Sequence, residues 1–329
     1  MTTPSLNPPR NKHRRHQRGA AMLILMLIVM LGLITLFTFR MDRKGPVLNA
    51  DRQTAAALAQ AKEALLGDSA TDNITGGVQN PGRLPCPNID NSPSNEGKSA
   101  LLSGSACQSG PNIPANMGRL PWKTLKVDDL RDGAGERLWY VVDPNFVDNG
   151  MPMNSGITPT LAVNGNQIVA VIIAPGPALG ALNQQRDTVN QNDYRNYLES
   201  YITSTTVALN APSVTYNDHI ITITARELFN VVTQRMVREF VKKLEENSLV
   251  NPYPSSYPFM PRRTTLPPAL PPPDPWYDNQ WDGTVSSSYS PTPSSNPTQF
   301  TVRFANCTNA LFTVIRSGTS NTISRAGHC

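Results

Sequence analysis

The alternation of apolar and polar positions changes period along the chain. Residues 20–39, AAMLILMLIVMLGLITLFTF, carry no charge. As a helix rising ~1.5 Å per residue, twenty such residues match a hydrocarbon core of ~30 Å and predict a membrane span. Residues 47–66 then follow a helical period, with Val47, Asp51, Thr54, Leu58, Ala61 and Leu65 on one mostly apolar face. Gly45-Pro46 lies between the two runs and predicts a kink or short break. Leu138–Val142, Gln167–Ala174 and His219–Thr224 read as strands rich in β-branched and aromatic residues. Over 225–246, Phe229, Val232, Met236, Phe240 and Leu244 recur every three or four residues. Arg235, Arg238, Glu239, Lys242, Lys243 and Glu245 take the opposite face, which predicts a helix with a solvated outer side. Near the end, Phe300, Val302 and Phe304, then Leu311, Phe312, Val314 and Ile315, predict two or three short strands.

Two turn-framed stretches echo each other, GRLPCP at 82–87 and GRLPWKTL at 118–125. The echo is too short for a repeat domain and is explained by two similar approaches to a strand. Thirteen of the 30 prolines fall within 252–297, which predicts an extended, polyproline-like path. Tyr253, Tyr257, Phe259, Trp276, Tyr277 and Trp281 could anchor that path to the body. The expected organisation is a basic leader (1–19), an N-terminal helix (20–70), an α+β body (71–250), a Pro-rich linker (251–297) and a C-terminal β segment (298–329).

Charge sharpens the N-terminal reading. Arg10, Lys12, Arg14, Arg15 and Arg18 precede the apolar run, so the N-terminus is expected on the cytoplasmic side and residues 41–329 outside. A secretory signal peptide would have a shorter core and small residues at its cleavage site, whereas this run leaves through Phe37-Thr38-Phe39-Arg40. The formal charge of +5 comes from the leader. Without its five basic residues, 24 of the 29 remain against 24 acidic ones, so no nucleic-acid partner is expected.

The junction QRG-AAMLILMLIVMLGLI at 17–34 resembles the leader of type IV pilins and type II secretion pseudopilins. The resemblance implies cleavage after Gly19 by a prepilin peptidase, N-methylation of Ala20, and assembly with other pilin or pseudopilin subunits in contact with inner-membrane lipid. It departs at the fifth mature position, where Ile24 replaces the usual Glu, and this implies a minor rather than a filament-forming subunit. LRDGAGERLWYVVD (130–143) is similar to the Asp-x-x-Gly stretch leading into the first hairpin of such proteins. Asp132, Gly135, Leu138 and Tyr140 match, whereas Ala134 stands where a Trp is usual.

The resemblance implies a pilin-like α+β fold. A long N-terminal stem, transmembrane then amphipathic, would carry an antiparallel β-sheet head and a Pro-rich C-terminal extension. The stem would run about 70 Å from Ala20 to Leu66. The expected location is the bacterial inner membrane, single-pass, with the C-terminal domain periplasmic. The alternative function is a membrane-anchored periplasmic binding or adhesion protein outside any filament.

All four cysteines, Cys86, Cys107, Cys307 and Cys329, follow the apolar run. An even number beyond a membrane predicts two disulfides, and three pairings are open. Local closure, Cys86 with Cys107 and Cys307 with Cys329, is preferred. The second of these resembles the disulfide-bounded C-terminal region of many pilins.

No nucleophile elbow, HExxH, or glycine-rich phosphate loop is present, and no enzyme activity, cofactor or metal is expected. His328 beside Cys329 is a nucleophile pair on paper only, given the expected disulfide. Two acidic loops hold enough oxygens for Ca²⁺: Asp128, Asp129, Asp132 and Glu136, and Asn88, Asp90, Asn95 and Glu96. Neither has EF-hand spacing, and solvated turn residues explain both.

Overall fold

A computed structural model describes residues 26–31, 45–71, 80–103, 106–149, 151–187, 191–203, 205–250, 279–281, 284–290, 299–317 and 320–329. The chain divides into two compact units, residues 1–51 and 52–329. Of the first, the described residues are a helical run at 26–31, whose apolar side chains are exposed, and the opening turns of helix α1 (Gly45–Thr71).

The second unit is mixed helix and mostly antiparallel sheet. Its strands are β1 (Leu102–Ser103), β2 (Ala106–Cys107), β3 (Met117–Arg119), β4 (Trp139–Val142), β5 (Ala162–Val163), β6 (Asn166–Gln167) and β7 (Ala170–Ala174). They continue as β8 (Tyr201–Thr203), β9 (Thr206–Val207), β10 (His219–Ile223), β11 (Val285–Ser290), β12 (Gln299–Phe304), β13 (Cys307–Ser317) and β14 (Ser320–Ala326). A second helix, α2 (Ala225–Val250), follows β10.

The central sheet has the order β10-β7-β4-β3 and is antiparallel throughout. Every residue of β4 and β7 is buried, because both faces are covered. Alternation sends Tyr140, Val142, Ala170, Ile172 and Ala174 into a core shared with the helices. Trp139, Val141, Val171 and Ile173 enter a second core with Leu161, Val163, Tyr197 and Val207, beneath the small sheet β6-β5-β9-β8. The helices contribute clean stripes. On α1, Thr54, Ala57, Leu58, Ala61, Leu65 and Ser69 are buried; on α2, Leu228, Phe229, Val232, Met236, Val237 and Phe240 are.

Helix ends are closed by side chains. Thr224 and Glu227 form a capping box at the start of α2: Glu227 N–H donates to Thr224 Oγ1, and Thr224 N–H donates to Glu227 Oε2. The same Glu227 pairs with Lys62 of α1 at 2.6 Å. Arg235 Nη1 donates to the carbonyls of Ala70 and Thr71, satisfying the open end of α1.

The third sheet, β11-β12-β13-β14, joins the helical core through Phe300, Val302, Phe304, Phe312 and Val314. Trp281 is wholly buried and meets Phe229 and Phe304 edge to face. Of the Pro-rich segment, 279–281 and 284–290 are described; Tyr253, Tyr257, Phe259, Trp276 and Tyr277 lie outside the described residues.

Two expectations are corrected. The pilin-like fold with a long N-terminal stem is not what the structure shows, since the described helices include no long apolar N-terminal helix. The expected kink or short break before this helix falls at 32–44, outside the described residues, and Pro46 itself lies in the first turn of α1 (Gly45–Thr71). That is the one place in a helix where a missing N–H leaves no bond unmade. The single-pass inner-membrane location is also corrected: among the described residues no helix is long and apolar enough to cross a membrane. A crossing helix needs about 20 apolar residues, whereas α1 carries Asp51, Arg52, Lys62, Glu63 and Asp68, and α2 is charged along its outer face. Most of residues 20–39 lie outside the described residues.

Candidate functional site

The four cysteines pair locally, Cys86 with Cys107 and Cys307 with Cys329, and all four are buried. The C-terminus is further tied to α2, where Cys329 N–H donates to Asn230 Oδ1 at 3.2 Å. Arg325 donates to the same side chain and to the Asn230 carbonyl. Gly19, Ala20 and Ile24 lie outside the described residues.

The Asp-x-x-Gly stretch forms a joint between helix and sheet. Asp132 is fully buried. Its Oδ1 accepts from Ala134 N–H and Glu136 N–H, each at 2.9 Å, and its Oδ2 accepts from Gly176 N–H at 2.8 Å. Gly135 adopts φ +85°, which the turn requires and which side-chain-bearing residues avoid. Helix α1 meets this turn through Gln53 Nε2, which donates to the Asp132 carbonyl, and Thr54 Oγ1, which accepts from Gly133 N–H at 2.9 Å. That bond explains a hydroxyl on the buried face of α1.

In both acidic loops expected as calcium candidates, the carboxylates other than that of exposed Asp128 are engaged. Asp132 is surrounded by N–H donors, Asp129 pairs with Arg131 and Arg137, Glu136 with Arg186, and Asp128 is exposed. In the other loop, Asp90 accepts from Ser92 N–H and Asn95 Nδ2, Asn88 donates to the Asn95 and Lys98 carbonyls, and Glu96 pairs with Arg137. Among the described residues no group of three potential ligands is placed to hold a metal ion.

The GRLP echo has a physical meaning that its brevity hid. Each copy buries its arginine and leucine: Arg83 and Leu84, Arg119 and Leu120. Each arginine donates to backbone carbonyls. Arg83 reaches those of Asn145, Val147 and Met151, and Arg119 those of Arg137 (3.0 Å) and Gln191 (3.1 Å). The residue just after the first copy also joins the second, for Asn88 and Arg119 exchange backbone hydrogen bonds at 2.8 Å. Gly118 is required there, because a Cβ on it would lie 2.3 Å from the Asn88 carbonyl oxygen.

Around Arg119 the structure assembles a charged cavity that the sequence did not signal. The Arg119 guanidinium stacks between Trp139 and Tyr197, at 4.0 and 4.2 Å from the ring centres, and Arg186 stacks on Tyr197 at 4.7 Å. Next to this stack is a cavity of about 330 Å³, lined by Asn91, Arg119, Arg131, Arg186, Gln191 and Tyr197 together with Glu96, Glu136, Arg137 and Asp187. Burial lowers the Arg119 pKa to about 10, which leaves it charged at neutral pH. Only the repeated arginine after a turn glycine could have pointed to it.

Compared with protein-family models, curated proteins and solved structures, the chain matches none.

Proposed function

We propose that this chain is a structural subunit of the minor pilin or pseudopilin kind, matured by cleavage between Gly19 and Ala20 and acting by assembly rather than by catalysis. The observation that supports the reading is the Asp132 turn, because the Asp-x-x-Gly of the stretch resembling the pseudopilin motif forms a joint between helix and sheet. Its carboxylate accepts three backbone donors, and its backbone receives α1 through Gln53 and Thr54. Backbone donors take three of its about four acceptor sites, which suits a group that holds a helix on a sheet. The two buried disulfides support the same reading, as they suit a part that must stay folded in an oxidising environment.

Partners on this reading are a prepilin peptidase and other subunits of the same kind. The experiment is N-terminal mass spectrometry of the protein from a strain that has a prepilin peptidase. A mature chain starting at methylated Ala20 is expected, along with blocked processing in Gly19→Leu. A full-length, unprocessed chain in that strain defeats the proposal.

A further inference from the structure

We infer that the cavity beside Arg119 binds the oxyanion group of a small polar ligand: a carboxylate, sulfate or phosphate. The inference stands on the second unit alone and is independent of processing at Gly19.

Arg137 faces Glu96 and Asp129, Arg131 faces Asp129, and Arg186 faces Glu136 at 3.3 Å. Arg119 is the exception, since no carboxylate among the described residues lies within ion-pair distance of it. Glu136 is the nearby acidic group that acts on it, but not in contact, and a buried cation with no carboxylate in contact is costly; stacking and carbonyl contacts repay that cost only in part. Arg83 makes the contrast. It has the same sequence setting, but donates to three carbonyls and does not line this cavity. Arg119 donates to two carbonyls, and a guanidinium has five N–H groups.

Geometry points the same way. The aromatic stack fixes the guanidinium plane, and a fixed planar fork suits an oxyanion better than a mobile ammonium would. Arg131, Arg137 and Arg186 also line the cavity, each paired with a carboxylate, and Glu96, Glu136 and Asp187 line it too, so four cations face three anions and Arg119 carries the excess; Asn91 and Gln191 supply amides for hydroxyl groups. The volume of about 330 Å³ lies at the small end of ligand sites, suited to a sugar acid or a smaller anion. The polar lining argues against a lipid tail.

Titration calorimetry of the whole disulfide-bonded protein at low ionic strength tests this, with sodium sulfate, sodium phosphate and sodium galacturonate as probes and sodium chloride as the control. At least one oxyanion should bind saturably where chloride does not, and the three salts separate the possible sources of the group. Arg119→Lys should weaken binding roughly tenfold through loss of the planar fork. Arg131→Ala keeps the test open if Arg119→Lys misfolds, because Arg131 is partly exposed and its partner Asp129 retains Arg137. It should weaken binding several-fold and leave the melting temperature of the free protein near wild type. Saturable heat with none of the three salts overturns the proposal, and so does binding that is unchanged in a folded Arg119→Lys or Arg131→Ala protein.

Discussion

Replacing Asp132 by Asn changes one atom of the joint between α1 and the central sheet. The amide oxygen can still accept from Ala134 and Glu136 N–H, but an NH2 group then faces Gly176 N–H, now 2.8 Å from Oδ2. Two donors meet, and Gly176 N–H loses its partner. A hydrogen bond to a charged group contributes about 1.5–3 kcal/mol, and an orphaned buried N–H costs a comparable amount. Relief from desolvating a buried carboxylate offsets part of this, leaving a net loss of about 2–3 kcal/mol. With a urea dependence of about 2–3 kcal/mol per M for a unit of this size, the unfolding midpoint should fall by about 1 M. The assay is urea unfolding of the disulfide-bonded protein followed by circular dichroism, with exposed Asp128→Asn as the control. Equal midpoints for Asp132→Asn and the control would refute the view that this carboxylate holds the joint.

Three further outcomes follow from the packing. Replacing either cysteine pair by serine opens a loop of 21 or 22 residues and should cost about 3 kcal/mol, read as a drop in melting temperature. Trp281→Ala removes a fully buried indole from between Phe229 and Phe304 and should cost about 3–5 kcal/mol in chemical denaturation. Burial, and then the charge of Glu199, raises the Asp218 carboxyl to about 7, with Tyr216 as its other titrating neighbour. Its folded pKa lies above its unfolded one, so its contribution is complete below pH ~4 and is lost as pH rises through about 7. Stability should therefore fall across that window in wild type and fall less in Asp218→Asn; parallel pH profiles would show that another group is responsible.

How much was legible beforehand depends on the range of the interaction. The stripe on α1, the strand at Trp139–Val142 and the helix after His219–Ile223 could be read because their burial follows the local period of the chain. The run Gln167–Ala174 was read as one strand and is split, since Gln167 ends one short strand and Ala170 starts a fully buried one. Thr54 looked like a flaw in an apolar face, yet it accepts a bond from Gly133, 79 residues away. Asp132 and Glu136 looked like free oxygens in a loop, but their partners come from Gly176 and Arg186, distant segments with no marker in the local pattern.

By itself, the sequence determined the composition of each block: an uncharged run behind a basic leader, two amphipathic helices, alternating strands and four cysteines. These are properties of neighbouring residues, and neighbours set period, charge and local loop closure. Tertiary structure decided that Pro46 lies in the first turn of α1, and that no described helix is long and apolar enough to cross a membrane. It also decided that of two similar arginines Arg83 donates to three carbonyls and Arg119 faces a cavity. The reason is that a side chain's cost or use depends on the groups brought to within about 4 Å of it, and in the second unit those groups come from segments far apart along the chain.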